Sequence, residues 1–151
     1  MRRRSRRRPR NVRRASRHDG DALALAGAEV LLVPAAFTQS TGEAHWHTLL
    51  RARAIENLAY VVAPATVRSP SPEYTDAFPT YGHALAVSPW GEVLADLGES
   101  PAAVEVVTLD LDAVDAARTK LSVLRGVRGA AIYGSGPKVI SVSSRTTGVS
   151  A

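Results

Sequence analysis

The chain of 151 residues contains no cysteine. That removes disulfides, thiolate metal sites and any thiol nucleophile from its own chemistry. Aromatic residues make up only 5% of the sequence, so alanine, valine and leucine must fill its core. No apolar run approaches the ~20 residues needed to cross a bilayer, and no signal-peptide h-region is present. No membrane association is expected. Acidic residues are absent from residues 1–17, whereas ten of the 19 lysines and arginines lie there. The remainder holds nine basic against 14 acidic residues, so the overall charge of +5 is a property of the leader alone.

What is present fits one soluble domain. Hydrophobic residues make up 45% and charged residues 22%, ordinary values for a globular protein. A domain of this length buries roughly 70% of the surface its unfolded chain exposes. Residues 1–20 have too few apolar side chains to join that core and are expected to be disordered. An arginine-rich leader can contact phosphates, but it has no interleaved aromatics and no recognisable module, so nucleic acid is not an expected partner. Its Arg/Ser-rich, acid-free composition is also that of a mitochondrial or plastid transit peptide, without the apolar residues of an amphipathic helix. The expected compartment is the cytoplasm, with an organelle left open by the leader.

From residue 21 onward the pattern is mixed α/β. Residues 21–28 read as the end of a helix and 29–33 as a buried strand. Residues 34–42 read as a loop closed by Ser40, Thr41 and Gly42. Trp46, Leu49, Leu50, Ala54, Ile55 and Leu58 recur at helical spacing and predict a helix over 43–58. Residues 60–67 read as a strand, and 68–80, with Pro70, Pro72 and Pro79, as a long excursion. Segments 83–88 and 92–97 flank Pro89-Trp90-Gly91, the signature of a β-hairpin, with the Trp90 ring expected to pack. A further strand is expected over 104–109, a helix over 110–121 capped by Asp110, and a loose tail over 134–151.

Several strings together carry a family resemblance: Ala26-Gly27-Ala28-Glu29-Val30-Leu31 leading to Pro34-x-Ala36-Phe37-Thr38; Thr41-Gly42-x-Ala44-His45-Trp46; Leu49-Leu50-Arg51-Ala52-Arg53-Ala54-Ile55-Glu56-Asn57 with Tyr60-Val61; Tyr81-Gly82-His83; and Pro89-Trp90-Gly91-Glu92-Val93. In this order they resemble the nitrilase, or carbon–nitrogen hydrolase, superfamily, in its ω-amidase and deaminated-glutathione amidase branch. The resemblance covers about 110 residues and implies the fold class: part of a four-layer α-β-β-α sandwich, with residues 21–133 as its C-terminal half. It also implies a Glu-Lys-Cys triad, in which cysteine attacks the amide carbon, glutamate is the base and lysine stabilises the tetrahedral intermediate. The Glu and Lys belong to the family's first half. The Cys falls 16 residues before the glycine matching Gly27, at Asn11. No catalytic residue carries over, and the chain as written is expected to be inactive.

The family's Arg-Phe-Pro falls on Ala15-Ser16-Arg17. Codons CGC TTC CCG read one nucleotide late give GCT TCC CGG, Ala-Ser-Arg. The leader is therefore read as out-of-frame translation of an active-site region. The resemblance places Phe37, Thr38 and Thr41 on a loop bordering the substrate pocket. The competing reading is that Phe37 packs and Thr41-Gly42 caps a helix, and it is favoured here because the facing half of the pocket is missing. The resemblance also makes the 43–58 helix a dimer element, with Trp46, Leu49 and Arg53 as interface residues; Arg53 can pair with Glu56 three residues on. A homodimer, or a heterodimer with an intact relative, is the expected partnership, and a small amide is a substrate only if the missing half is supplied. His45 and His47 do not share a helix face, and no His/carboxylate spacing matches a zinc motif. Neither a metal nor a cofactor is expected. The chain alone is expected to be poorly soluble, because the missing half would leave apolar faces and strand edges open.

Overall fold

Two strand–helix–strand units in series, followed by an antiparallel hairpin, build the protein. The computed structural model describes residues 12–14, 20–67, 79–101 and 103–126. The expected tail over 134–151 and most of the expected excursion over 68–80 lie outside these residues, as does the leader apart from 12–14 and Gly20. Strand β1 (Val12–Arg14) leads through helix α1 (Gly20–Leu25) to β2 (Val30–Leu32). Helix α2 (Gln39–Asn57) connects β2 to β3 (Tyr60–Ala63). Strands β4 (Leu85–Val87) and β5 (Val93–Asp96) precede helix α3 (Asp112–Lys120) and a 3₁₀ turn (Val123–Gly126).

The five strands form one sheet in the order β1-β2-β3-β4-β5. β1, β2 and β3 run parallel, as strands joined by crossover helices must. β4 and β5 are antiparallel, with Val61 opposite Val87 and Leu85 opposite Asp96. The hairpin turn is held by Ser88, whose hydroxyl accepts from the amides of Trp90 and Glu92 at 3.2 Å each. Gly91 supplies a φ of +81° there, where a side chain would strike Ile55.

Strand alternation divides the core between the two faces of the sheet. Leu31, Val61, Ala63, Leu85 and Val87 face α2, which answers with Trp46, Leu50 and Ala54. Val30 and Tyr60 face the other way and meet Val114 of α3, with Leu32, Val62, Leu109 and Leu111 at the margin. The mixed α/β class expected from the sequence is the observed one, as one sheet with α2 on one face and α3 on part of the other.

Arg118 ties these layers together. Its guanidinium donates to the carbonyls of Ala28 (2.6 Å), Asn57 (3.2 Å) and Leu58 (3.2 Å). A cation thus caps the carbonyl end of α2, where charge and unsatisfied acceptors both favour it. Burial pulls the guanidinium below its ordinary pKa, against the opposing pull of Glu29 and Asp115.

Five expectations are corrected. Val12–Arg14 belongs to the leader expected to be disordered, yet it pairs with β2, Val12 opposite Val30. The open edge of β2 offers unpaired amides and carbonyls, and backbone pairing needs no apolar side chain. Ser40, Thr41 and Gly42 lie inside α2, which starts at Gln39, four residues before the expected start at 43. Residues 104–109 form no strand: Val104 and Val106 are 91% and 92% exposed, and β-branched residues make a strand only beside a partner. Asp110 does not cap α3 at the expected position. Leu111 does, while the Asp110 carboxylate accepts from the Asp112 amide at 3.1 Å in an Asx-type turn. Trp90, expected to pack, is half exposed, with Lys120 Nζ 5.2 Å from its ring.

Candidate functional site

The parallel strands end together at one edge of the sheet, the place where open α/β sheets hold ligands. Chain segments leaving β2 and β3 stay paired there through an Ala35–Ala65 bridge. They line a shallow depression with Pro34, Ala36, Pro64 and Thr66. Phe37, Thr38 and Thr41 follow directly, at the start of α2. Phe37 is half-buried, its ring 5.1 Å from that of Trp46. Its carbonyl accepts from the Tyr81 amide at 2.8 Å. Thr38 and Thr41 are exposed, and their hydroxyls bond each other at 2.5 Å. Thr38 stands at the N-cap of α2, but its hydroxyl is turned to Thr41 and makes no capping bond to a helix amide. The three residues expected to border a pocket therefore sit together at the strand-end edge, with Phe37 packed inward and the two threonines facing out.

The residues expected to form an interface do not stay together. Trp46 is corrected from exposed anchor to core residue: it is 3% exposed, and its Nε1 donates to the His83 carbonyl at 2.8 Å. The apolar face of α2 has to point at the sheet, and the largest side chain on it fills the gap above β4. Leu49 remains on the open side of α2, as does Arg53, which pairs with Glu56 as its spacing predicts. Burial raises the Glu56 carboxyl above its usual range, outweighing the lowering by Arg53. The proximity of the pair would by itself indicate the reverse. Because Glu56 is still 40% exposed at its side chain, we assign the pair no stabilising weight.

A second constellation was not foreseen from the sequence. His47 on α2, His83 before β4 and Asp96 at the end of β5 converge above the α2 face of the sheet. His47 Nε2 lies 2.8 Å from Asp96 Oδ2, and His83 Nδ1 lies 2.8 Å from Asp96 Oδ1. The Gly98 amide donates to the same Oδ1 at 3.0 Å. Burial alone would raise the Asp96 carboxyl, but hydrogen bonds from His47, Gly98 and His83 together hold it below its ordinary pKa. The His83 ring stacks on Tyr81 at 4.2 Å and meets His47 edge-on at 5.2 Å. Tyr81 is raised above its usual value, first by burial and then by Asp96, Glu43 and Glu99. His83 also holds a left-handed backbone, φ 53°, a conformation that costs a non-glycine residue and gathers at functional sites. His45 is exposed and takes no part.

Comparison with known proteins gives a consistent result. The family model described as carbon-nitrogen hydrolase matches residues 21–119. Deaminated glutathione amidase of Synechocystis is 52% identical over 79 residues, covering 52% of this chain and 28% of the relative. The Dictyostelium discoideum protein of the same name is 44% identical over 96 residues, covering 64% of this chain and 32% of the relative. Among solved structures, the Caenorhabditis elegans NitFhit protein superimposes with a TM-score of 0.59 at 41% identity over 72% of this chain and 26% of that one. Saccharomyces cerevisiae Nit3, a member of branch 10 of the nitrilase superfamily, does so with a TM-score of 0.61 at 28% identity, covering 73% of this chain and 40% of that one. The chain spans about 30% of the length of the two amidases it matches.

Proposed function

We propose that this chain, which belongs to the carbon–nitrogen hydrolase family, forms one wall of an ω-amidase-type site and does not turn over amides by itself. Its relatives named deaminated glutathione amidase support a small ω-amide acid as the substrate class, hydrolysed to a carboxylate and ammonia. The observation that carries the reading is a contrast. The strand-end edge with Phe37, Thr38 and Thr41 is built, yet no cysteine anywhere in the 151 residues can supply the thiolate that the family resemblance implies. The outward-facing hydroxyls of Thr38 and Thr41 would meet the polar end of the substrate, beside the Phe37 ring packed on Trp46. The attacking sulfur, the base and the lysine would all have to come from elsewhere.

A second reading is favoured by the outward face of α2 and the hairpin. Leu49, Ile55 and Trp90 are exposed there, which fits a pairing surface for an intact relative whose activity the chain would modulate. One experiment separates the two. Ammonia release from a short ω-amide acid is measured with the purified chain, with an intact amidase relative, and with both. The first reading expects no release by the chain and no effect on the relative. Release by the chain alone overturns it. Altered turnover of the relative, with co-elution of the two, establishes the second reading.

A further inference from the structure

We infer that His47, His83 and Asp96 form a binding site for a divalent transition cation of the zinc type, independent of the strand-end edge. The donor atoms of the three residues lie within 4.8 Å of one another. Two imidazoles and one carboxylate are a donor set that suits zinc, cobalt and iron and disfavours magnesium and calcium. Around a cation with bonds of ~2.0–2.1 Å, donor atoms in tetrahedral array stand roughly 3.3–3.4 Å apart. The present His–Asp separations of 2.8 Å need to open by about half an ångström, and a donor pair at the outer 4.8 Å limit needs to close by roughly 1.4 Å, through rotation of side chains that are 34%, 30% and 21% exposed.

The surroundings hold the ligands in place, as metal sites require. Stacking on Tyr81 fixes the plane of the His83 ring, and the Trp46 indole holds the His83 carbonyl. The Gly98 amide orients the carboxylate. The left-handed backbone of His83, φ 53°, is held by its amide, which donates to the Gly98 carbonyl at 2.7 Å. Two imidazoles aim ring nitrogens at a single carboxylate, His47 Nε2 at Oδ2 (2.8 Å) and His83 Nδ1 at both Oδ1 (2.8 Å) and Oδ2 (3.1 Å). The side chains of His47 and Asp96 remain 34% and 30% exposed, which leaves a face open for a fourth ligand such as water. A cation there would join α2 to β5 and to the segment that leads into β4.

The test uses the full chain, stripped with chelator and titrated with Zn²⁺ by calorimetry and with Co²⁺ by visible absorption. The expected result is one equivalent bound, with the intense d–d bands of a four-coordinate cobalt site. H47Q and D96N are each expected to weaken binding more than about tenfold, while H45A leaves it unchanged. Circular dichroism of each variant separates loss of a ligand from loss of the fold. Absence of binding by the wild-type chain would overturn the inference, and so would binding that survives in well-folded H47Q and D96N. Because the amide assay does not enter, failure here is distinguishable from failure of the proposed function.

Discussion

Arg118 shows how much of the fold can rest on one side chain. Three main-chain carbonyls, from two separate segments, depend on its guanidinium. Hydrogen bonds to a charged donor are worth about 1.5–3 kcal/mol each and do not add, so R118A should cost about 3 kcal/mol. R118K keeps the charge but loses the planar fork, and should recover less than half of that loss. Urea denaturation of the two variants checks the order, and an R118K midpoint equal to that of the unsubstituted chain would show that charge rather than geometry matters. Gly42 makes a different demand. A Cβ there would come 2.3 Å from the Tyr81 ring, so G42A must displace a buried aromatic that also supports His83. Overpacking of this kind costs about 1–3 kcal/mol, more than the propensity gained by replacing a helical glycine, about 1 kcal/mol. A lowered denaturation midpoint is expected, and a raised one would mean that Tyr81 moves freely.

At the scale of elements, the end of α2 turns on an unusual residue. Leu58 occupies a left-handed conformation, φ 44° and ψ 53°, a position that usually belongs to glycine. L58G would release about 1–2 kcal/mol of backbone strain. The Leu58 side chain is 1% exposed, however, and removing a buried leucine costs about 2–5 kcal/mol. The net expectation is destabilisation by about 1–3 kcal/mol in a denaturant titration; a neutral result would show that the pocket collapses around the glycine. α2 itself was legible because its buried face repeats every 3.6 residues over four turns, and the hairpin because Pro-Trp-Gly can only turn. The first four residues of α2 carry no apolar period and were hidden. β1 was hidden because its pairing is a matter of backbone alone, and 104–109 misled because strand propensity does not supply a neighbour. The Phe37–Thr41 edge could be placed through the resemblance. The His47–His83–Asp96 cluster could not, since 49 residues separate His47 from Asp96, and only the β4–β5 pairing and the α2 crossover bring them together.

The whole molecule presents an asymmetry that α3 only partly relieves. On the sheet face away from α2, Val62, Ala86, Ala95 and Leu97 line an apolar groove with Val107 and Leu109. Beside it Val104 and Val106 stand almost fully in water. Contiguous apolar surface of this kind drives association, so the chain is expected to self-associate as its concentration rises, measured by sedimentation velocity. A rival cause exists in the same sequence, because ten basic residues lie in 1–17 and the rest carries a net charge of −5. Salt separates the two. Attraction between a basic leader and an acidic body is screened within about 10 Å at 0.1 M ionic strength and should vanish at 0.5 M, whereas apolar association persists and strengthens in sulfate. The double substitution V104K/V106K then provides the decisive comparison. Both positions are exposed and make no core contact, so folding stability should stay within about 0.5 kcal/mol, while association in sulfate drops sharply. Unchanged association would place the sticky surface elsewhere, with Leu49, Ile55 and Trp90 on the opposite side next to be tested.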